Sequence, residues 1–123
     1  NMTNEVILYG INNCDTVKKA LKWLTANDID HKFYDFKKQP LTNDLLAQFV
    51  ELNDWGTLLN KRSTTYKNLS NDIKNNLTDN IAFEQALAQP TLLKRPLLLI
   101  SSNATEPKLH LGFKADIYQN IFQ

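Results

Sequence analysis

The sequence predicts an α/β fold: a four-stranded mixed sheet flanked by helices, with a helical insertion before the third strand. Three observations predict it. Apolar runs of strand length open the chain and return near its end. Between the first two runs lies a segment with apolar residues at helical spacing, so strand, helix and strand follow within about 30 residues. The stretch from 54 to 89 then breaks the rhythm, with many Asn, Asp, Ser and Thr residues and only short helical fragments.

The first strand is Glu5-Val6-Ile7-Leu8-Tyr9, closed by Gly10. After the loop Ile11-Asn12-Asn13-Cys14-Asp15-Thr16, Val17, Ala20, Leu21 and Leu24 form the buried stripe of a helix, with Lys18, Lys19 and Lys22 on its wet face. Ala26-Asn27-Asp28 stops it. A second strand follows at His31–Phe36, where Tyr34 and Phe36 alternate with polar neighbours and Phe33 breaks the alternation. Such a unit is parallel and almost always right-handed. Pro40 stops the strand, and Thr42 caps a helix whose apolar face is Leu45, Leu46, Phe49, Val50 and Leu52.

The insertion, about 54–89, carries helical fragments at Trp55–Leu59, Asn71–Leu77 and Asn80–Leu87, with Thr78-Asp79 starting the last. It has too few large apolar residues to fold alone, so residues 2–123 read as one domain. Strand signals return at Pro96–Ser101 and Lys108–Leu111. The polar turn 102–106 between them makes the pair an antiparallel hairpin. Gly112 ends it, and Ala115, Ile117, Tyr118, Ile121 and Phe122 mark a closing helix. The order βαβα, insertion, ββα is the thioredoxin-like plan.

Composition narrows the function classes. A chain of 123 residues buries about two-thirds of its unfolded surface without staples. Fourteen Lys and Arg against thirteen Asp and Glu give a net charge of +1, which argues against direct nucleic-acid binding and against a membrane surface. No stretch reaches the roughly 18 apolar residues of a membrane span. One cysteine makes no internal disulfide, so an oxidising compartment is not implied. Asn1, ahead of Met2, is read as an expression remnant; no signal peptide is recognised after it, and a cytoplasmic location is expected. His31 and His110 lack metal-ligand company, so no zinc site or other bound metal or cofactor is expected. Trp23, Trp55 and the phenylalanines read as core.

Cys14 stands where a strand hands over to a helix N-terminus. Unpaired backbone N–H groups and the positive end of the helix dipole favour an anion there, and Lys18 adds to them while Asp15 opposes. A thiol at such a place loses its proton more easily, and the thiolate is the reactive form. Two readings are open: a reactive nucleophile, or a small buried apolar residue. Two further signals bear on the choice, the loop Leu58–Tyr66 with Arg62, and Lys94-Arg95-Pro96 before the third strand. In thioredoxin-like proteins the loop before that strand lies beside the active cysteine and its proline is usually cis, which would present Arg95 to Cys14. Arginine forks bind oxyanions in bidentate fashion, so a thiolate flanked by Arg62 and Arg95 suits attack on an oxyanion or a glutathione disulfide.

With these residues in view, the chain resembles the ArsC/Spx family of thioredoxin-fold proteins, most closely its YffB branch, whose members are arsenate-reductase-like. The resemblance runs from Val6–Gly10 to Gly112-Phe113 and the last helix. It is carried by Tyr9–Thr16, Leu59–Thr65 and Lys94–Leu98. It implies Cys14 as nucleophile and Arg62 and Arg95 as two of three surrounding arginines. The third arginine position, after the glycine that follows the last strand, is Phe113, a departure that weighs against arsenate reduction. The regulators of the family carry Cys-x-x-Cys; here the second position is Val17, so an oxidised Cys14 is expected to be resolved by an outside thiol, most simply glutathione. The expected function is therefore a glutathione-dependent thiol oxidoreductase, with Asn12, Lys18 and Pro96 helping to hold the substrate. The alternative is a regulator that docks on a protein partner such as RNA polymerase, without a redox switch.

Overall fold

A computed structural model of the chain describes residues 4–123; Asn1, the expected remnant, lies outside them. In chain order the elements are β1 (Asn4–Gly10), α1 (Asp15–Ala26), β2 (Lys32–Asp35), α2 (Asn43–Leu52), α3 (Trp55–Leu58), α4 (Thr64–Lys67), α5 (Asn71–Asn75), α6 (Asp79–Ala88), a 3-10 turn (Pro90–Leu92), β3 (Leu97–Ser102), β4 (Lys108–Leu111) and α7 (Ala115–Ile121). The residues fall into two compact units: one holds the chain up to Gln39 with Arg95–Gln123, the other Pro40–Lys94.

The first unit is the four-stranded mixed sheet, in the order β2-β1-β3-β4. β1 and β2 run parallel, joined through α1 as the sequence implied; β1–β3 and β3–β4 are antiparallel. The register sorts the side chains by face. Val6, Leu8 and Leu98 form a cluster with Val17, Ala20 and Leu24 of α1 and Tyr118 of α7, so both helices cover that face. Tyr9, Leu97 and Leu99 point to the other face and are also buried. The break in alternation at Phe33 now has its reason: Phe33 packs with the α1 cluster, whereas Tyr34 and Phe36 stack around Tyr9 on the opposite face.

The seating of α1 on β1 is set at Gly10. A Cβ placed there would meet Val17 Cγ2 at 2.7 Å, closer than side chains tolerate, so only glycine lets the first turn of α1 lie this near the strand. The far end is locked differently. Asp28 adopts φ 56°, and the N–H of Ile29 bonds the Leu24 carbonyl at 2.9 Å, while the Ile29 side chain packs against the core. This is the left-handed stop with its hydrophobic contact that ends many helices.

The second unit packs α2 against α6, and α6 against the 3-10 turn, around Leu46, Phe49, Leu58, Ala82, Ala86, Leu92 and Leu93. Its helices are short and each is capped by an oxygen side chain. Thr42, Asp54, Ser63, Ser70 and Thr78 accept the N–H three residues on. Each such cap contributes about 1 kcal/mol to a helix too short to form by propensity. Two elements were not expected from sequence: α4, which read as loop, and the turn at Pro90.

Gly10→Ala is expected to destabilise the protein by about 1–3 kcal/mol through overpacking. Val17→Ala in the same chain should return part of that loss. Chemical denaturation of the two single variants and the double checks it, and strict additivity would mean that the close approach is not the cause. His110, on β4 beside Lys108, has its pKa lowered by burial first and by the Lys108 charge second. The unfolded chain therefore takes up a proton there at higher pH than the folded one. Stability from this group is complete above about pH 6.5 and falls as the pH drops below it. Denaturation midpoints of wild type and His110→Gln should converge on acidification.

Candidate functional site

Cys14 is the N-cap of α1. Its backbone is extended, its carbonyl accepts the Lys18 N–H at 3.0 Å, and its own N–H reaches the Ile11 carbonyl at 3.4 Å across the Asn12-Asn13 turn. Its side chain makes no cap hydrogen bond. At the position where α2 to α6 each place an oxygen acceptor, α1 places a sulfur, and the N–H groups of its first turn gain no side-chain acceptor from it. The thiol is partly buried and packs against the cluster under α1, while Asn12, Asn13 and Lys18 are exposed. The two readings of Cys14 thus meet: it has an apolar backing and a helix N-terminus in front of it.

The register brings a second segment to this end of the sheet. Tyr9 pairs with Leu97, so Arg95 and Pro96 lie just past the last rung beside Gly10. The Arg95–Pro96 bond is cis, as the thioredoxin-like plan implied. Pro96 is fully buried and its carbonyl accepts the Gly112 N–H at 2.8 Å, tying the start of β3 to the end of β4. Arg95 is partly exposed, with its Nε atom buried.

Gly112 turns the chain at φ 77°, a conformation suited to glycine, and delivers Phe113 to the core. The Phe113 ring meets Tyr118 edge-on at 4.7 Å between centroids, and both belong to the packing that includes Cys14. The Tyr118 hydroxyl donates to the Gly112 carbonyl at 3.4 Å, and burial holds its phenol above the usual tyrosine range. At residue 113, where the resemblance implies a third arginine, a partly buried aromatic side chain is packed against the core of the first unit.

Arg62 belongs to the Pro40–Lys94 unit. It is exposed on the loop before α4, where its N–H donates to Asn60 Oδ1 at 3.1 Å. The sequence reading passed over Asp35, which ends β2 in register with Gly10. Its Oδ1 accepts the Lys37 N–H at 2.9 Å, while Oδ2 is buried without a hydrogen-bond partner. In sequence Asp35 looked like one of the polar residues alternating along an ordinary strand, and only the ladder reveals its place. Among the described residues no group of three or more His, Cys, Asp and Glu could hold a metal ion, and no helix is long and apolar enough to cross a membrane.

A model of the ArsC family matches residues 9–121, nearly the whole chain and every segment just described. The chain belongs to the ArsC family. A protein of uncharacterised function from Haemophilus influenzae is 42% identical over 95% of this chain and 98% of its own. The global transcriptional regulator Spx of Lactiplantibacillus plantarum is 33% identical over 90% of this chain and 81% of its own. Among solved structures, the YFFB (PA3664) protein superposes with a TM-score of 0.82 at 35% identity, covering 94% of this chain and 96% of the other. The ArsC-like thioredoxin fold expected from the sequence is therefore the fold of this protein, and its relatives include both the YffB branch and Spx regulators.

Phe113→Arg removes an edge-to-face pair worth about 0.5–1.5 kcal/mol and sets a charge against the core. A destabilisation of at least about 1 kcal/mol is expected, read as a lower urea midpoint at an unchanged slope. A variant as stable as wild type would mean that the ring contributes nothing to seating α7.

Proposed function

We propose that the protein is a glutathione-dependent thiol oxidoreductase of arsenate-reductase-like type that works through Cys14 alone. The observation that carries this reading is the thiol at the N-cap of α1, the capping position at which α2 to α6 have an oxygen. The backbone N–H groups at a helix N-terminus suit that place to an anionic substrate group.

In the proposed reaction the Cys14 thiolate attacks the glutathione sulfur of a mixed disulfide. The sulfur–sulfur bond breaks, the substrate thiolate leaves and takes a proton, and Cys14 is left joined to glutathione. No second cysteine exists in the chain, so a glutathione thiolate attacks the glutathione sulfur of that adduct. Cys14 is released as thiolate and glutathione disulfide departs. Over the cycle the incoming glutathione thiol is oxidised to the disulfide level and the substrate sulfur is reduced to a thiol; the other glutathione sulfur is at the disulfide level throughout. Arg95 and Arg62 are assigned to the anionic groups of the substrate. Asn12, Lys18 and the Pro96 segment are assigned to its placement, in a cytoplasm that supplies reduced glutathione. Phe113 offers no hydrogen-bond donor at the third arginine position, so arsenate is assigned as a poor substrate. The kinship with Spx supports a second reading, a protein-binding regulator in which Cys14 is only a packing residue.

Turnover of a glutathionylated peptide and of arsenate by the purified chain tests both. Wild type should reduce the peptide and Cys14→Ser should fall to background. Arg95→Lys and Arg62→Lys should each raise KM about tenfold or more, the loss expected when a charge-assisted hydrogen bond is given up. Arsenate should turn over at least about tenfold more slowly than the peptide. Arsenate reduction by wild type equal to that by Phe113→Arg would refute the argument from the missing arginine. No turnover of either substrate would leave the regulator reading standing.

A further inference from the structure

The exchange above takes a proton from Cys14 and delivers one to the substrate sulfur that leaves, and no group has been assigned to hold it in between. Among the described residues one side chain of the charged types is buried, Asp35, at 5% exposure. Its two oxygens differ. Oδ1 accepts the Lys37 N–H at 2.9 Å and so holds the turn that follows β2, whereas Oδ2 is buried and accepts no hydrogen bond. A proton can join or leave Oδ2 without breaking a hydrogen bond, because the turn is tied through the other oxygen. Burial also keeps a proton held there from leaking to bulk water.

The ladder gives the carboxyl its place. Phe33, in register with Leu8, packs against the cluster under α1, and Tyr34, in register with Tyr9, lies on the opposite face. Asp35 is two residues beyond Phe33, so it returns to the α1 face, in register with Gly10. The Cβ that Gly10 lacks would point the same way, toward Val17 in the first turn of α1. Asp35 thus stands beside the glycine on which that turn rests, and Cys14 caps the turn three residues before Val17. Its backbone is held there: the Phe36 N–H donates to the Gly10 carbonyl at 2.8 Å, and the Lys38 and Gln39 N–H groups donate to the Asp35 carbonyl, each at 2.9 Å. The other ionisable groups of these elements are turned away. Asp15, Lys18, Lys19 and Lys22 of α1, Lys37 and Lys38 after β2, and Glu5 and Lys32 at the far end of the β1–β2 pair are exposed, while Tyr9 and Tyr34 share the opposite face. Cys14 is partly buried and packs against the same cluster as Phe33.

We propose that Asp35 is the proton store of the thiol exchange; the inference rests on the glutathione-dependent reading above. Oδ2 takes the proton of the Cys14 thiol, and the thiolate forms a bond to the glutathione sulfur of the mixed disulfide. The old sulfur–sulfur bond breaks with its electron pair on the substrate sulfur, and that sulfur receives the proton from Oδ2. Asp35 ends as the carboxylate it began as, and Cys14 ends joined to glutathione. An alkyl thiolate is a poor leaving group and gains from a proton delivered as the bond breaks, whereas a less basic aromatic thiolate departs without one.

The test variant is Asp35→Asn, which keeps an oxygen for the Lys37 N–H and cannot carry the proton. Two mixed disulfides of glutathione are compared on the full-length protein in single turnover, one with a peptide cysteine and one with the aromatic thiol thionitrobenzoate. Asp35→Asn should slow release of the peptide thiol by about tenfold or more and leave release of the aromatic thiol within about twofold of wild type. Thermal melts matching wild type would show that the variant is folded; Asp35→Ser, which also offers an oxygen to the turn, is the second variant and should show the same split. Release of the peptide thiol at the wild-type rate overturns the store. Equal slowing on both substrates overturns it too, because a residue that only shapes the site slows both. Either result leaves the glutathione reading intact. If wild type releases neither thiol, the glutathione reading falls and the store with it.

Discussion

The approach of α1 to β1 at Gly10 governs the rest of the first unit. With no side chain at residue 10, Val17 drops against the strand, and the first turn of α1 is seated directly over the end of the sheet. Cys14 lies one turn before Val17, so the depth of that contact fixes where the sulfur stands. The same end of the sheet receives the β2 terminus with Asp35 and the β3 start with Pro96, because both pair with β1 at its last residues. The other end of α1 is held by the left-handed turn at Asp28 and the partly buried Ile29 that packs against the core, so the helix is clamped at both ends. The thiol is positioned by packing and backbone, without needing a side-chain hydrogen bond of its own.

The two units hold their helices by different means. In the first, α1 is long enough to bury a continuous stripe of Val17, Ala20 and Leu24, and burial of such side chains is worth about 1.5–3 kcal/mol each for the larger ones. In the second, α3, α4 and α5 have four or five residues each and no comparable stripe, so the polar caps at Asp54, Ser63 and Ser70 matter more. The Asn, Asp, Ser and Thr content that made this stretch look loop-like is the same content that starts its helices.

The parallel pair β1–β2 and the antiparallel pair β3–β4 were legible because apolar runs, turn residues and the right-handed crossover leave few alternatives; the pairing of β1 with β3 came from the structure. The hairpin at 97–111 followed from its polar turn. Helix starts were less legible: Asp15 and Thr16 are helical although neither contributes to the apolar spacing that marks α1. The four residues of α4 carry no period at all, since Ser63 alone announces them. At the candidate site, Cys14, Arg62 and Arg95 could be picked out by residue type and neighbourhood. The place of Asp35 beside Gly10 and the packing of the Phe113 ring could not. One depends on which strand is its neighbour, and the other on a ring contact with Tyr118 five residues on, after a turn that only Gly112 permits.

That ring contact bears on what a change at residue 113 disturbs. The junction after β4 exists here in an aromatic form, with Phe113 interlocked with Tyr118 and the hydroxyl of Tyr118 returning to Gly112. Exchanging it for a cationic form is not a single step, because the incoming charge inherits a socket shaped for a ring. A substitution at residue 113 is therefore felt at Tyr118 and, through its hydroxyl, at the Gly112 turn.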